Sequence, residues 1–444
     1  MVRRKYKHLR LLSMSIYDLR HLGGIGDGVS DDGPILAEAA RRCGVDGGGM
    51  IVVPRGTWLT GSVQLPSRTT LRIEAGATIL GSRDPARYPV ADQPWEGHSV
   101  QTPTPLLWAA DAEDVSIVGE GTIDGQGEDW WAAVRAKRLT ARPRLVAFLS
   151  CRRVQIEGVR LTRSPSWTVH PWHCREVRID GVTIVNPPHA PNTDGIDPES
   201  CRDVEIANCM IDVGDDAIAL KAGSGRNFPP CERVTIRDCT IRHGHGGIVI
   251  GSEMSGGVRD VTVSDCTMQG TDRGIRIKTR RGRGGVVENL TVRNVLMREV
   301  GCPVVIHTYY RYTGLRPEDV AWAGSREPQP VDAGTPLIRG IRLHGVVAND
   351  VTGPCLAFIC GLPERPIADV GLYGCHLCHR EEPDPEQAEP AMMIHRGPGD
   401  YPTCGLNATD VAGLRLEDCE LRPRGGERVL AERVVWAGTP LEIT

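Results

Sequence analysis

Four short segments carry side chains suited to proton transfer and anion binding: Asn192-Thr193-Asp194, Gly214-Asp215-Asp216, Gly244-His245-Gly246 and Arg276-Ile277-Lys278. An isolated Asp pair is ordinarily a solvated turn or an Asx cap. Here three acids, a histidine and a cationic pair fall in successive copies of one weak repeat, which a set of unrelated turns does not explain. Carboxylates crowded together cannot all ionise, so one keeps its proton and can serve as a general acid. The others stay ionised and can activate water, the division of labour that glycoside hydrolysis needs. Arg276 and Lys278 alternate around Ile277, so on a strand they share one face while Ile277 points inward. That geometry suits a carboxylate clamp, with Arg offering a bidentate fork. The wider cluster Arg276, Lys278, Arg280, Arg281 and Arg283 also raises nucleic-acid binding, but no aromatic stacking pattern accompanies it. A net charge of −4 gives no global attraction for nucleic acid or an anionic membrane. The plain reading of Arg280, Arg281 and Arg283 is a solvated loop.

The elements that must bring these segments together show in a repeat. The pattern aliphatic-x-aliphatic, often followed by x-[Asn/Asp]-[Gly/Cys], begins at Val154, Val177, Val204, Val234, Val261 and Leu290, in steps of 23, 27, 30, 27 and 29 residues. Weaker members begin at Leu71, Val115, Ile341, Val370 and Leu414. Glycine is abundant at 52 residues, and short Val/Ile/Leu runs are bounded by Gly, Asn and Asp, which reads as many short strands. The prediction is an all-β fold, a single right-handed parallel β-helix whose coils each add two or three strands about 4.8 Å from the next. Asp215 and Asp216 can both face one groove only if the backbone turns, which Gly214 permits. The β-helix should occupy residues 17–444, with 1–16 as a tail outside it. Pro-, Trp- and charge-rich insertions near 85–105, 311–336 and 381–399 should emerge as walls of a groove. One segment, Pro34–Cys43, follows N-cap candidates Ser30, Asp31 and Asp32 and should form a helix that plugs the N-terminal end.

Fifteen cysteines mostly occupy fixed offsets in the repeat, so they read as small buried hydrophobes stacked coil on coil. Cys375-His376-Leu377-Cys378-His379 matches a haem-attachment pattern, but Cys375 is already explained by the repeat. No segment approaches the roughly 20 apolar residues of a membrane span. The basic start has no adequate apolar core and no cleavage site, so a cytoplasmic protein is expected, with Met14 an alternative start.

The four central motifs in this order resemble glycoside hydrolase family 28, the polygalacturonases, in particular bacterial exo-acting members. So do Gly26-Asp-Gly-Val-Ser-Asp-Asp32, Gly121-Thr-Ile-Asp-Gly-Gln-Gly127 and Trp130-Trp131. The resemblance runs from about Tyr17 to about Leu421. It implies a right-handed parallel β-helix and inverting hydrolysis of α-1,4-galacturonosyl linkages without metal or cofactor. It makes Asp215 the general acid and gives the attacking water to Asp194 and Asp216. His245 would support their ionisation, and Asn192, Arg276, Lys278 and Tyr310 would bind substrate, with Tyr309 adjacent to the last. The implied partner is a galacturonate-containing oligo- or polysaccharide; oligomeric state is open. Long insertions and the missing export signal favour exo action on short oligomers. Competing readings are a rhamnogalacturonan or other uronide hydrolase, a calcium-dependent β-helix lyase, and a non-catalytic carbohydrate-binding β-helix.

Overall fold

The computed structural model describes residues 15–437, apart from 140, 226, 313, 383, 385–388 and 398. The predicted tail lies outside these residues up to position 14, and Ile16 already opens the strand Ile16–Asp18. Nearly every strand pairing is parallel, between one coil and the next, and the whole is a right-handed parallel β-helix. Three ladders run along it.

The first ladder is the repeat seen in the sequence. Val154, Val177, Val204, Val234, Val261, Leu290, Ile341, Val370 and Leu414 stack in register. At the N-terminal end the match slips: Leu71 pairs with Ile117, and Val115 pairs with Thr69. A two-residue slip keeps each side chain on its own face, so the hydrophobic pattern did not expose it. The second ladder consists of three-residue strands such as Thr183–Val185, Met210–Asp212 and Thr240–Arg242. The third carries the chemistry. It stacks Asp216–Leu220, Gly246–Ile250, Arg273–Lys278 and Cys302–His307, and segment 196–199 joins it through bridges from Ile196 to Ile218 and from Glu199 to Lys221.

Inside the coils one aliphatic column follows another. Ile179, Ile206, Ile236, Ile211, Ile241 and Ile277 are all fully buried, each stabilising the fold by about 1.5–3 kcal/mol. The cysteines behave as predicted: Cys174 Sγ lies 3.4 Å from the Cys151 amide, and Cys201 Sγ 3.4 Å from the Cys174 amide. Cys375 likewise packs in the core, its thiol on the Leu343 carbonyl at 3.5 Å.

The helical content exceeds the expectation of one segment. Helix α1, Gly33–Val45, buries Leu36, Ala39, Ala40 and Cys43 against the first coils. Asp32 stands at its N-cap but does not cap it. Its carboxylate instead accepts from the amides of Ile25 and Gly26 at 2.8 and 2.9 Å. Helix α2, Glu128–Arg135, seats Trp130 and Trp131, and helix α3 is the single turn Val320–Gly324. Both are too short for periodicity to reveal.

All three insertions reach the third ladder. The first forms an antiparallel hairpin, Val90–Trp95 with His98–Pro103. The second holds α3. The third, which lies in part outside the described residues, bridges from Met393 to Tyr310 and pairs Glu389 with Arg311.

Candidate active site

The third ladder brings the predicted residues together. Carboxylate oxygens of Asp194, Asp215 and Asp216 lie within 4.8 Å of one another. The backbone bends at Gly214 and Asp215 before the strand begins at Asp216, so both acids reach one space. Gly214 serves by close approach rather than by unusual φ. A Cβ there would stand 2.5 Å from the Ala190 carbonyl and 2.7 Å from that of Pro187. One coil further on, Gly246 faces Asp216 in register, and a Cβ there would meet the Asp216 carboxylate at 3.0 Å. Gly244, at φ +128°, lets His245 turn back so that its amide donates to the Asp215 carbonyl at 3.0 Å.

Each acid has a different environment. Asp215 is the most open, and His245 Nδ1 lies 3.3 Å from its Oδ1. Burial pushes Asp215 up, but the hydrogen bond and charge of His245 outweigh it and hold the carboxyl below its ordinary value. The same hydrogen bond raises His245 against the opposing effect of burial. Asp216 is 1% exposed, with Lys278 Nζ at 2.6 Å and Arg276 Nη1 at 3.3 Å. Burial alone would raise Asp216; Lys278, Arg276 and Lys221 more than reverse it and keep it ionised. Asp194 is 3% exposed and sits between Asp197 and Asp215. Burial first, then the charges of those two acids, raise it well above the carboxylate range, against Lys221. Asp197 is pushed up to about 8, again by burial first, with Asp216 and Asp215 adding to it.

Of the three predicted acids, Asp194 is the one raised, because it is enclosed among like charges, while Asp215 sits at the mouth beside a protonatable imidazole. Arg276 and Lys278 share a face with Ile277 buried behind them, and both hold the Asp216 carboxylate. Tyr310 backs the pair, with Lys278 Nζ 5.2 Å and Arg276 Cζ 5.8 Å from its ring centroid. Tyr309 faces away, under Arg281 and Arg326. Asn192, at φ +51°, accepts from Arg142 Nη2 at 3.0 Å. His243 pairs with Asp212 at 3.0 Å. The solvated-loop reading of the arginines fails: Arg280, Arg281 and Arg283 are 7%, 1% and 6% exposed.

Sequence reasoning missed Lys221. Its ammonium is buried 3.6 Å from each of Asp194, Asp197 and Glu253, and 4.8 Å from the Trp167 ring centroid. Burial opposes its charge, but these acids raise its pKa well above the ordinary lysine value. Glu253, despite burial, is lowered to about 2 by Lys221, Arg283 and Lys278. The available signal was a lysine directly continuing the apolar strand Ala217-Ile-Ala-Leu220, where a charge needs buried partners. Trp167 stacks on Trp95 of the hairpin, centroids 5.0 Å apart, so the first insertion closes over this end of the site. The three carboxylates offer oxygen ligands, but Lys278 and Lys221 already supply positive charge beside them.

Separately tuned carboxylates on the flank of a parallel β-helix define a site of the glycoside-hydrolase type. The family model described as Glycosyl hydrolases family 28 matches residues 43–320, and the chain belongs to that family. It is similar to a probable polygalacturonase of Vitis vinifera, 34% identical over 377 residues, 81% of this chain and 73% of that one. It is also 34% identical to an endo-polygalacturonase of Pectobacterium carotovorum subsp. carotovorum over 279 residues, 57% of this chain and 65% of the relative. Among solved structures, an exopolygalacturonase from Thermotoga maritima superposes with TM-score 0.73 at 28% identity, covering 91% of each chain.

Proposed function

We propose that the protein hydrolyses α-1,4-galacturonosyl linkages, acting from a chain end and inverting the anomeric centre. The observation that carries this reading is the assembly of three carboxyls within 4.8 Å, Asp215 paired with His245, Asp216 with a buried Arg–Lys pair, and Asp194 enclosed beside them. Asp216, kept ionised, accepts the proton of the attacking water. Asp194, kept neutral, holds that water by hydrogen bonding. Asp215 and His245 share one proton, and Asp215 passes it to the glycosidic oxygen as the bond from the anomeric carbon breaks; the proton gained by Asp216 returns through solvent. The acids stand closer than the roughly 6.5–9.5 Å usual for inverting enzymes, so the water enters beside the pair rather than between its members. Inversion of an α-linkage releases the β-anomer first, and NMR of the initial product decides the matter: α-anomer appearing first overturns it.

The hairpin and the second insertion meet across one flank of the groove, which favours exo action. Trigalacturonate and longer oligomers should release monomer from the outset, and mixed early products would reject the exo assignment.

The shared proton fixes the alkaline limb. Because pairing raises His245, the one-proton pair persists below its raised pKa and is lost as pH climbs through it, above the ordinary histidine value of about 6.5. In His245→Gln, Asp215 must hold the proton alone, so the alkaline limb of kcat/KM should move to lower pH. An unmoved limb excludes the shared proton.

A further inference from the structure

Arg273 opens the strand that carries Arg276 and Lys278, and its side chain is 0% exposed. A guanidinium taken wholly out of water is costly unless its donors are met. Burial first, and then the neighbouring charge of Arg276, act against its own charge. The structure meets its donors from two directions. Nη1 donates to the His245 carbonyl at 3.3 Å and to the Asp272 carboxylate at 3.0 Å. Nε donates to the Pro390 carbonyl at 3.3 Å, and Nη2 to the Glu389 carbonyl. One side chain therefore joins the turn that carries His245 to the third insertion.

The insertion is a firm anchor. The Ile394 amide donates to the Tyr309 carbonyl at 2.8 Å, the Arg311 amide to the Met392 carbonyl at 3.0 Å, and the Glu389 carboxylate pairs with Arg311. His245 needs such an anchor. Its side chain is 45% exposed and meets Asp215 at 3.3 Å, so little packing fixes the ring, and its place follows the backbone of the turn. Three hydrogen bonds hold that turn. The Gly244 carbonyl accepts from the Asp272 amide at 2.9 Å, the His245 amide donates to the Asp215 carbonyl at 3.0 Å, and the His245 carbonyl accepts from Arg273. The first two are main-chain bonds; the third comes from a side chain and can be removed alone. We propose that Arg273 is a positioning residue for His245, holding the imidazole on Asp215 by tying its turn to the third insertion. This rests on the reading above, in which Asp215 and His245 share the catalytic proton.

A double-mutant cycle tests it, with kcat on trigalacturonate measured for Arg273→Met, His245→Gln and the two together, each below its melting temperature. Displacing a catalytic group by about 1 Å costs on the order of 10²-fold, so Arg273→Met should lower kcat about tenfold or more when His245 is present. Where His245 is already Gln, the same change should cost less than about twofold, because no imidazole is left to position. KM should stay within about twofold, since a fully buried Arg273 offers the substrate no surface. The pH profile separates position from field. Asp215, Asp216 and Asp272 all favour protonated His245, and removing a nearby cation would by itself favour it further. A ring that leaves Asp215 loses its largest stabilising contact, so the alkaline limb of kcat/KM should move to lower pH in Arg273→Met. Arg273→Gln keeps a donor for the insertion but ends short of the His245 carbonyl, and it decides the matter if Arg273→Met unfolds. A loss equal in both backgrounds, no loss, or a limb that stays or moves up overturns the positioning role and leaves the galacturonide reading intact. Wild-type kcat in His245→Gln overturns the shared proton instead, and a native protein that cleaves no galacturonide overturns the whole reading.

Discussion

Asp215→Asn is expected to lower kcat on trigalacturonate by about 10²–10⁴-fold, the range for loss of a positioned general acid. The amide keeps the shape of the carboxyl but cannot carry the proton shared with His245. Asp215 lies at the mouth of the site and its pairing with His245 is partly open to solvent, so folding stability should change by no more than about 1 kcal/mol. Two measurements settle the assignment: initial rates at saturating substrate and a thermal melt. A variant that keeps wild-type kcat would remove Asp215 from the mechanism and leave the non-catalytic carbohydrate-binding reading standing. KM should change little, because no donor that holds the substrate's carboxylates is removed.

Lys221→Met should be the most destabilising single change in the site. It leaves Asp194, Asp197 and Glu253 buried without their common cation, and stripping one partner from a buried charge network costs about 3–5 kcal/mol. The pH dependence follows from the sign of the shifts. Asp194 and Asp197 have raised folded-state values, Asp197 about 8. From about 4, where free carboxyls begin to ionise, up to those raised values, the folded state binds more protons than the unfolded state, so stability falls as pH rises. Removing Lys221 raises both acids further. Below the wild-type values both proteins therefore lose stability in parallel, and the gap between variant and wild type should widen in thermal melts only as pH rises through about 8; a gap that stays constant there would show that Lys221 acts through packing alone. Activity should fall with it, since Asp216 also loses part of the field that keeps it ionised.

Much of the architecture was legible in the chain. The hydrophobic alternation that starts at Val154 and recurs to Leu414 is a local pattern, and in a solenoid each coil packs only on its neighbours, so a local pattern dictates the whole. It also brought Asp194, Asp215, Asp216, His245, Arg276 and Lys278 to one edge, because each motif lies on a strand of the third ladder or within two residues before one, whatever the length of the turn that leads to it. The helix at 33–45 was legible from its Ala-rich apolar spacing, whereas α2 and α3 were not, since eight and five residues show no period.

What the sequence by itself determined was therefore the repeat, the residue set and its order along the groove. Only the tertiary structure decided how each acid is surrounded and which carboxylate each cation faces. Protonation depends on desolvation and on charges several ångströms away through space, and neither is encoded in spacing along the chain. Lys221 shows the point most directly. In the sequence it is a lysine at the end of a strand; in the fold it is the buried cation that three carboxylates, from coils before and after it, share.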